Sequence, residues 1–483
     1  MPSKGFRTNV MNARSLMLLA LLTLGTLVHV SPAEADRTAF LDTTFGATGR
    51  VMLPPLDSER EVRAAIMPDD GLVISTGRTL RRIGPDGQLD GSFGGDGTVN
   101  PPAPPDGEIE IEGLAVDLQG RLIVAATAEP VVEDSALGFG NGIGERPKVA
   151  WVGRYLRDGT PDPSFGKDGR LETDFGLQPP RDESGEPIVA KPWVEVTGVA
   201  VDSQNRIVLT GGISADLKSG CAHDWFFDTL TYAAFVARLT PTGSLDSSFA
   251  GDGVFGGSRA GENPLQAEVS AAPAIGPQDE VVYGTGLRHC PRDGGASGLG
   301  RVSPSGAADR GFGLRGAVRG GFGAPVVQSD GRIAGIGLEG TWYYAKESAR
   351  VAVDRLTPSG HPDRTFGTQG KAVLRTPGGP VSELSILAPG GRGRLLLGGT
   401  MYTRRPGKPK KPRHSSLILM RLTAGGRLDR SFAPRGRVAT GFGSRTLGAS
   451  QLLVDSRGRA VLVGTYGPWE HQGVAVARFA ISR

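Results

Sequence analysis

The chain has 483 residues, of which 74 are Gly, 35 are Pro and 38% are hydrophobic. This Gly and Pro content disfavours long helices, while the hydrophobic fraction is sufficient for a packed core, so a coiled coil, a collagen helix and a polar disordered chain are excluded. The net charge of +4 indicates no strong single-sign field.

The first 35 residues have the pattern of a secretory signal peptide. Three basic residues precede an apolar stretch at 16–30, and Ala33-Glu34-Ala35 is a small-x-small cleavage site. The alternative is a retained membrane anchor, but the stretch is shorter than the roughly 20 residues that span a bilayer. We therefore expect residues 36–483 to act outside the cell or at its surface, with no membrane span after cleavage.

One motif recurs seven times along the chain. It reads Leu-Asp-x-Ser/Thr-Phe-Gly-x-x-Gly, and the Asp, the Phe and the last Gly occur in every copy. The spacing between copies varies, which indicates a fixed unit with variable insertions. A unit of this size is typical of a propeller or a solenoid. The copies begin near residues 41, 89, 161, 245, 308, 362 and 428.

Each copy contains four short strand-like segments. Two of them form a hairpin whose turn is rich in Gly, Asn and Asp, as in Ser203-Gln204-Asn205 and Ser329-Asp330-Gly331. Four short antiparallel strands are the content of one propeller blade. The sequence therefore predicts an all-β fold, a single seven-bladed β-propeller over residues 36–483.

An Arg precedes the motif Asp by eight residues in six copies. The last Arg, Arg478, has no Asp after it, and the first Asp, Asp42, has no Arg before it. A closed ring would join these two orphans, so we expect the N- and C-terminal segments to seal the propeller. Sevenfold repetition favours structural pairs over a catalytic set at Asp42, Asp90, Asp162, Asp246, Asp309, Asp363 and Asp429 and at Arg82, Arg154, Arg238, Arg301, Arg355, Arg421 and Arg478.

Together with the turn pattern Asp-x-x-Gly-Arg and the strand pattern Arg-Leu-x-Pro-x-Gly, the motif resembles the delta-60 repeat of bacterial secreted and surface proteins. The resemblance covers about residues 41 to 480. It implies a β-propeller of unknown function, and it assigns no catalytic residue.

The copies differ most in the segments that follow the second hairpin strand, which should emerge together on one face. These segments concentrate aromatic residues in a chain that has few, which favours a recognition face for a glycan or a protein. The alternative is that these side chains fold the loops onto the propeller. The candidates are Trp225, Phe226, Trp342, Tyr343, Tyr344, Tyr402, Trp469 and His471.

The two cysteines, Cys221 and Cys290, fall in equivalent loops of neighbouring copies. In an exported protein this placement favours a disulfide. A zinc site that also uses His223 and His289 is an alternative, as is a pair of free thiols.

Copy six carries a basic loop interrupted by prolines. It is either a solvated loop or a site for an anionic polymer, and nucleic acid is not favoured because aromatic interleaving is limited to Tyr402. The basic residues are Arg404, Arg405, Lys408, Lys410, Lys411 and Arg413.

The chain contains no nucleophile elbow, no phosphate-binding loop with Lys and no His-Glu-x-x-His motif. We therefore predict no catalytic residue and no cofactor. The favoured interpretation is a monomeric binding or interaction module whose ligand, a glycan, a cell-wall polymer or a protein, is not specified. The alternatives are a propeller enzyme, either a lyase or a hydrolase of polysaccharide, and a purely structural wall component.

Overall fold

The structure is a computed structural model. It describes residues 40–46, 48–54, 61–104, 107–130, 148–178, 193–216, 229–256, 272–286, 297–320, 322–339, 350–375, 382–405, 408–443, 445–467 and 472–481. These residues form 28 strands and one short 3-10 turn at Pro434–Gly436, with no α-helix among them. None of them lies in a helix long and apolar enough to cross a membrane.

Seven antiparallel four-stranded sheets form a ring, so the fold is a seven-bladed β-propeller and the predicted fold class is confirmed. The first strand of each blade contacts the first strands of both neighbouring blades, so these seven strands surround the central axis.

The chain begins with β1 (Arg50–Leu53), which belongs to the last blade. Blade 1 contains β2 (Val62–Ile66), β3 (Leu72–Thr76), β4 (Thr79–Ile83) and β5 (Thr98–Val99). Blade 2 contains β6 (Gly107–Val116), β7 (Leu122–Pro130), β8 (Val149–Tyr155) and β9 (Arg170–Thr173). Blade 3 contains β10 (Trp193–Val201), β11 (Ile207–Asp216), β12 (Thr229–Leu239) and β13 (Val254–Gly256). Blade 4 contains β14 (Ala274–Ile275), β15 (Val281–Gly286), β16 (Ser297–Val302) and β17 (Ala317–Arg319), and blade 5 contains β18 (Val326–Val327), β19 (Ile333–Glu339), β20 (Arg350–Leu356) and β21 (Lys371–Arg375). Blade 6 contains β22 (Ser382–Pro389), β23 (Leu395–Arg405), β24 (Lys408–Leu422) and β25 (Arg437–Thr440), and blade 7 contains β26 (Leu447–Val454), β27 (Ala460–Tyr466), β28 (Gly473–Phe479) and β1.

The turn between the first two strands of each blade requires a left-handed residue at one position. Its φ is positive in all seven blades, and the residue is Gly, Asn or Asp in each, the types that tolerate this conformation. These residues are Asp70, Gly120, Asn205, Asp279, Gly331, Gly393 and Gly458. The hairpins predicted from turn chemistry are therefore present.

The ring closes as the two orphan residues predict. Strand β1 pairs with β28, with Arg50 opposite Ala477 and Leu53 opposite Val474. The Asp42 amide donates to the Arg478 carbonyl oxygen at 2.9 Å. The outermost strand of blade 7 thus comes from the other end of the chain, which removes an open edge from the ring.

The up-and-down order of the strands sorts the connections onto two faces. The motif face carries the turns between strands one and two and the seven motifs between strands three and four of each blade. The loop face carries the connections between strands two and three and those between blades. The apolar core lies between neighbouring blades, as in the cluster that joins Ile123 and Ala125 of blade 2 to Val194 and Leu209 of blade 3.

Candidate functional site

On the motif face, the repeated Asp and Arg lie together in every blade. The distance from the Arg Nε to the Asp Oδ2 ranges from 2.7 Å, for Arg238 and Asp246, to 3.1 Å, for Arg82 and Asp90. In six blades the guanidinium also lies over the motif Phe ring, 4.4–4.8 Å from its centroid. Both contacts are attractive for a guanidinium, so in these six blades the Arg is held from two sides.

Five of these arginines, Arg82, Arg154, Arg238, Arg301 and Arg355, also donate a hydrogen bond to the following blade. The Nη1 of Arg82 donates to the Arg157 carbonyl oxygen at 2.5 Å, and that of Arg238 to the Pro304 carbonyl oxygen at 2.6 Å, each in the following blade. The motif glycine makes a parallel contact, as when the Gly46 amide donates to the carbonyl oxygen of residue 86 at 2.7 Å. Loss of such an Arg therefore breaks contacts within a blade and between blades.

These contacts lower the pKa of six motif carboxyl groups. At Asp162, burial raises the pKa, but hydrogen bonds from Ser164 and the charges of Arg154 and Arg121 bring it below the ordinary value. At Asp90 the largest cause is the hydrogen bond from Ser92, which lowers the pKa directly. Hydrogen bonds and arginine charges likewise outweigh burial and lower the pKa at Asp42, Asp246, Asp363 and Asp429.

A second arginine, which sequence reasoning missed, reaches the motif Asp from the hairpin turn. Arg121 Nη1 lies 3.1 Å from Asp162 Oδ2, and its Nε lies 2.6 Å from Asp117 Oδ2. The sequence feature that could have revealed this arginine is the Arg of the Asp-x-x-Gly-Arg turn pattern. The equivalent residues Arg206, Arg332 and Arg459 lie within ion-pair distance of Asp246, Asp363 and Asp42. In these four blades the motif Asp is therefore contacted by two arginines.

Four innermost strands carry a β-bulge near their middle, at equivalent positions. Their pairing with the second strand skips one residue, which is polar and at least partly exposed in each case: Glu112, Thr197, Ser385 and Ser450. The hydroxyl oxygen of the buried Thr127 in blade 2 accepts a hydrogen bond from the Val196 amide of blade 3 at 3.1 Å. In the same way, the hydroxyl oxygen of Thr400 in blade 6 accepts one from the Ala449 amide of blade 7 at 2.8 Å. Bulges often redirect side chains beside functional sites.

One bulge residue belongs to an ion-pair cluster on the loop-face side, which we call the Arg63 cluster (Glu61, Arg63 and Glu112). Arg63 Nη1 lies 2.5 Å from Glu61 Oε2, and Nη2 lies 3.2 Å from Glu112 Oε2 in blade 2. Burial and the charge of Glu110 raise the pKa of Glu112, and Arg63 only partly opposes this. No other blade repeats this cluster among the residues described.

The Arg63 cluster borders a cleft between blades 7 and 1. The cleft has a volume of about 270 Å³ and is lined by Glu61, Val62, Arg63, Ala449, Ser450, Thr465 and Gln472. Five of these seven residues are polar, and Ser450 is the bulge residue of β26. The cleft therefore offers both hydrogen-bond donors and acceptors on the loop face.

A second charged group lies further around the same face. Lys148 Nζ lies 2.8 Å from Glu129 Oε1 and 2.9 Å from Glu195 Oε1, and it is 5.7 Å from the centroid of the Trp193 ring. Burial lowers the pKa of Lys148, but the two carboxylates outweigh it and the net shift is upward. This lysine joins blades 2 and 3 and keeps its charge.

Most of the predicted recognition residues lie outside the described residues: Trp225, Phe226, Trp342, Tyr343, Tyr344, Trp469 and His471, together with Cys221, His223, His289 and Cys290. Tyr402 is described, lies half-buried in β23 and pairs with Ser415 in the sheet. No group of three or more metal-ligating side chains occurs in the described part of the chain.

The predicted basic loop is drawn largely into the sheet. Its residues extend β23 and β24, with Arg404 opposite Pro412 and Arg405 opposite Lys408 in the backbone pairing. The register shifts on both sides of Arg404, so this end of the hairpin is irregular.

A family model matches a short part of the chain. It is described as a domain of unknown function (DUF5122) beta-propeller, and the match covers residues 231–249. No curated protein matches the sequence.

Solved structures match over most of the chain with low sequence identity. A protein of unknown function from Dyadobacter fermentans is 13% identical, with a TM-score of 0.42 over 79% of this chain and 96% of its own. A polysaccharide lyase, an ulvan lyase, is 9% identical, with a TM-score of 0.43 over 89% and 94%. A gluconolactonase from Xanthomonas campestris is 12% identical, with a TM-score of 0.32 over 88% and 89%. Matches at this level transfer no activity to this protein.

Proposed function

We propose that this protein is an exported glycan-binding β-propeller that acts at the cell surface or outside the cell, with its ligand held in the cleft between blades 7 and 1. The observation that supports the proposal is the Arg63 cluster, a set of charged groups beside that cleft that no other blade repeats in the described part of the chain. Export rests on the sequence pattern of residues 1–35, and the mature chain is residues 36–483.

The chemistry of the cleft suits a polyhydroxylated ligand. A guanidinium donates and carboxylates accept hydrogen bonds, and sugar hydroxyls can do both, so the Arg63 cluster is complementary to a saccharide. Val62 and Ala449 are the two apolar residues of the lining, which is too little apolar surface for a lipid. Trp469 and His471 lie three residues and one residue before Gln472 in the sequence, outside the described residues.

The opposite face is less suited to this role. Its carboxylates are held ionised by hydrogen bonds and arginines, and its network recurs around the ring. A ligand would have to displace contacts that join neighbouring blades, which is costly for buried ion pairs.

The test is retention of the mature protein on isolated cell-wall polysaccharide, followed by affinity measurement for the fraction that binds. We expect Arg63→Gln to weaken binding about tenfold, the effect of losing one charge-assisted contact. Arg78→Gln is the matched control, because Arg78 lies on the same blade and face, pairs with Glu108 at 3.6 Å and is absent from the cleft lining. Equal affinity of Arg63→Gln and the native protein would contradict the proposal.

A polysaccharide hydrolase or lyase is the second candidate, and Glu112 is the observation that favours it. A carboxyl group with a raised pKa can retain a proton for general acid catalysis, and Glu61 supplies a second carboxylate on the other side of Arg63. An enzyme would release soluble sugar from the retained polysaccharide, and Glu112→Gln would stop release while retention persisted. Neither retention nor release would instead indicate a structural wall component.

A further inference from the structure

Blade 6 is strongly basic, although the whole chain has a net charge of only +4. Residues 382–440 contain 13 of the 54 Lys and Arg but only 2 of the 50 Asp and Glu. Their net charge is +11, and the rest of the chain therefore carries −7. The positive charge of this protein is concentrated in one sector of the ring.

On the motif face, the turn of blade 6 leaves arginines without ion partners. Arg457, at the equivalent turn position of blade 7, has its Nε 3.2 Å from Asp70 Oδ2 of blade 1. The residue of blade 7 that corresponds to Asp70 is Gly458, so Arg392 of blade 6 has no equivalent carboxylate in the next blade, and it makes no ion pair with any described residue. Arg392 is also exposed.

Arg394, in the same turn, lacks the Asp that pairs with its counterparts in other blades. Its counterparts Arg121, Arg206 and Arg459 each have Nε 2.6 Å from an Asp at the first position of the turn. Blade 6 has Gly390 at that position, and within the described residues Arg394 forms no ion pair. Two guanidinium charges of this turn are therefore not neutralised locally.

A cleft of about 380 Å³ opens beside this turn, between blades 5 and 6, and Arg332, Arg355 and Arg392 are among its lining residues. Arg355 Nη1 donates to the Gly393 carbonyl oxygen at 3.1 Å, in the turn between strands one and two of blade 6. The counterparts of Arg355 donate instead to the turn between strands three and four of the next blade; they are Arg82, Arg154, Arg238 and Arg301. The carboxylates nearby are already paired, since Arg332 contacts both Asp330 and Asp363. The cleft thus presents unneutralised positive charge.

Further basic residues lie on the motif face of the same blade. Arg427, Arg430 and Arg435 are exposed in and beside the motif of blade 6, and none of the three forms an ion pair with a described residue. With Arg392 and Arg394 they make five arginines without an ion partner among the described residues. Several positive charges spread over one face fit a polymer with repeated anionic groups better than a single ion.

We propose that blade 6 binds a linear anionic polymer with repeating phosphate or carboxylate groups, on a surface separate from the cleft between blades 7 and 1. Arg392 and Arg394 are the anchor residues, and Arg427, Arg430 and Arg435 extend the positive surface on the motif face. Nucleic acid is less favoured, because none of the described residues that line the cleft is aromatic, so the cleft offers no platform for base stacking.

The test measures binding of the mature protein to long-chain inorganic polyphosphate and to polygalacturonate across a range of salt concentrations. We expect affinity to fall steeply with salt, and the double variant Arg392→Gln/Arg394→Gln to weaken binding about tenfold or more. Arg457→Gln is the matched control, because the same turn position is already neutralised by Asp70, and its affinity should change less than twofold. The two polymers show whether phosphate or carboxylate is preferred.

Three outcomes would overturn the proposal: equal losses in the double variant and in Arg457→Gln, no loss in either, or tighter binding of DNA than of polyphosphate at matched salt. The variant Arg392→Lys/Arg394→Lys keeps the charge and should retain most of the affinity, which separates lost charge from altered folding. Glycan retention by the Arg63 cluster should be unaffected by all these changes, so this proposal and the proposed function fail independently.

Discussion

Arg478 offers the sharpest test of how the ring is held closed. Its side chain is 1% exposed, its Nε lies 2.9 Å from Asp42 Oδ2, and its guanidinium lies 4.4 Å from the centroid of the Phe45 ring. All of these partners come from the other end of the chain. Arg478→Met removes the charge while keeping much of the volume, so the change isolates the closing contact.

The expected loss is set by the buried pair. Removing one partner of a buried ion pair costs about 3–5 kcal/mol. Asp42 retains a second partner, Arg459, whose Nη1 lies 2.8 Å from Asp42 Oδ2, so we place the loss at the lower end, about 3 kcal/mol. The free energy of urea unfolding measures it, and a double-mutant cycle with Asp42→Asn isolates the pairwise part.

Arg421→Met is the matched control within a blade. Arg421 Nε lies 2.8 Å from Asp429 Oδ2 and the guanidinium lies 4.8 Å from the Phe432 ring centroid, so the local chemistry is the same. Both variants should lose stability, but only Arg478→Met should accelerate hydrogen exchange of the β1 amides, because only Arg478 connects β28 to the segment before β1. Equal exchange of β1 in the two variants, or a loss below about 1 kcal/mol for Arg478→Met, would refute this account of closure.

Three further predictions concern acid, packing and the cysteines. Six motif carboxyl groups have lowered pKa values in the folded state, so their stabilisation is present at neutral pH and is lost as the pH falls below about 4. The melting temperature should drop over that range and stay nearly constant between about pH 6 and 8. In β10, a Cβ added at Gly198 would lie 2.4 Å from Ala272 Cα, so Gly198→Ala should cost about 1–3 kcal/mol in urea unfolding, whereas Gly91→Ala, with nothing within 4 Å, should be neutral. If Cys221 and Cys290 form the predicted disulfide, alkylation before reduction should leave both unmodified by mass spectrometry, and reduction should cost about 4 kcal/mol for a loop of roughly 70 residues; labelling of both thiols without reductant would exclude the bond.

Internal repetition made the architecture readable from the sequence. Seven copies of one unit show which positions the unit requires, and the glycine, asparagine and aspartate of each turn act through local backbone conformation. The unmatched Arg478 and Asp42 predicted the closing strand pair for the same reason, since six other copies showed what each orphan lacked. These signals are short-range and periodic, so they survive without knowledge of the tertiary structure.

The asymmetric features depended on which blades became neighbours and in what register. The Arg63 cluster joins β2 to a bulge in β6, and no local pattern indicates that Arg63 and Glu112 lie together. Arg392 and Arg457 occupy the same position of similar turns, yet only Arg457 finds a carboxylate, because its neighbouring blade carries Asp70. Contacts between blades are set by packing around the whole ring, so the tertiary structure alone decided where this repetitive chain departs from its own symmetry.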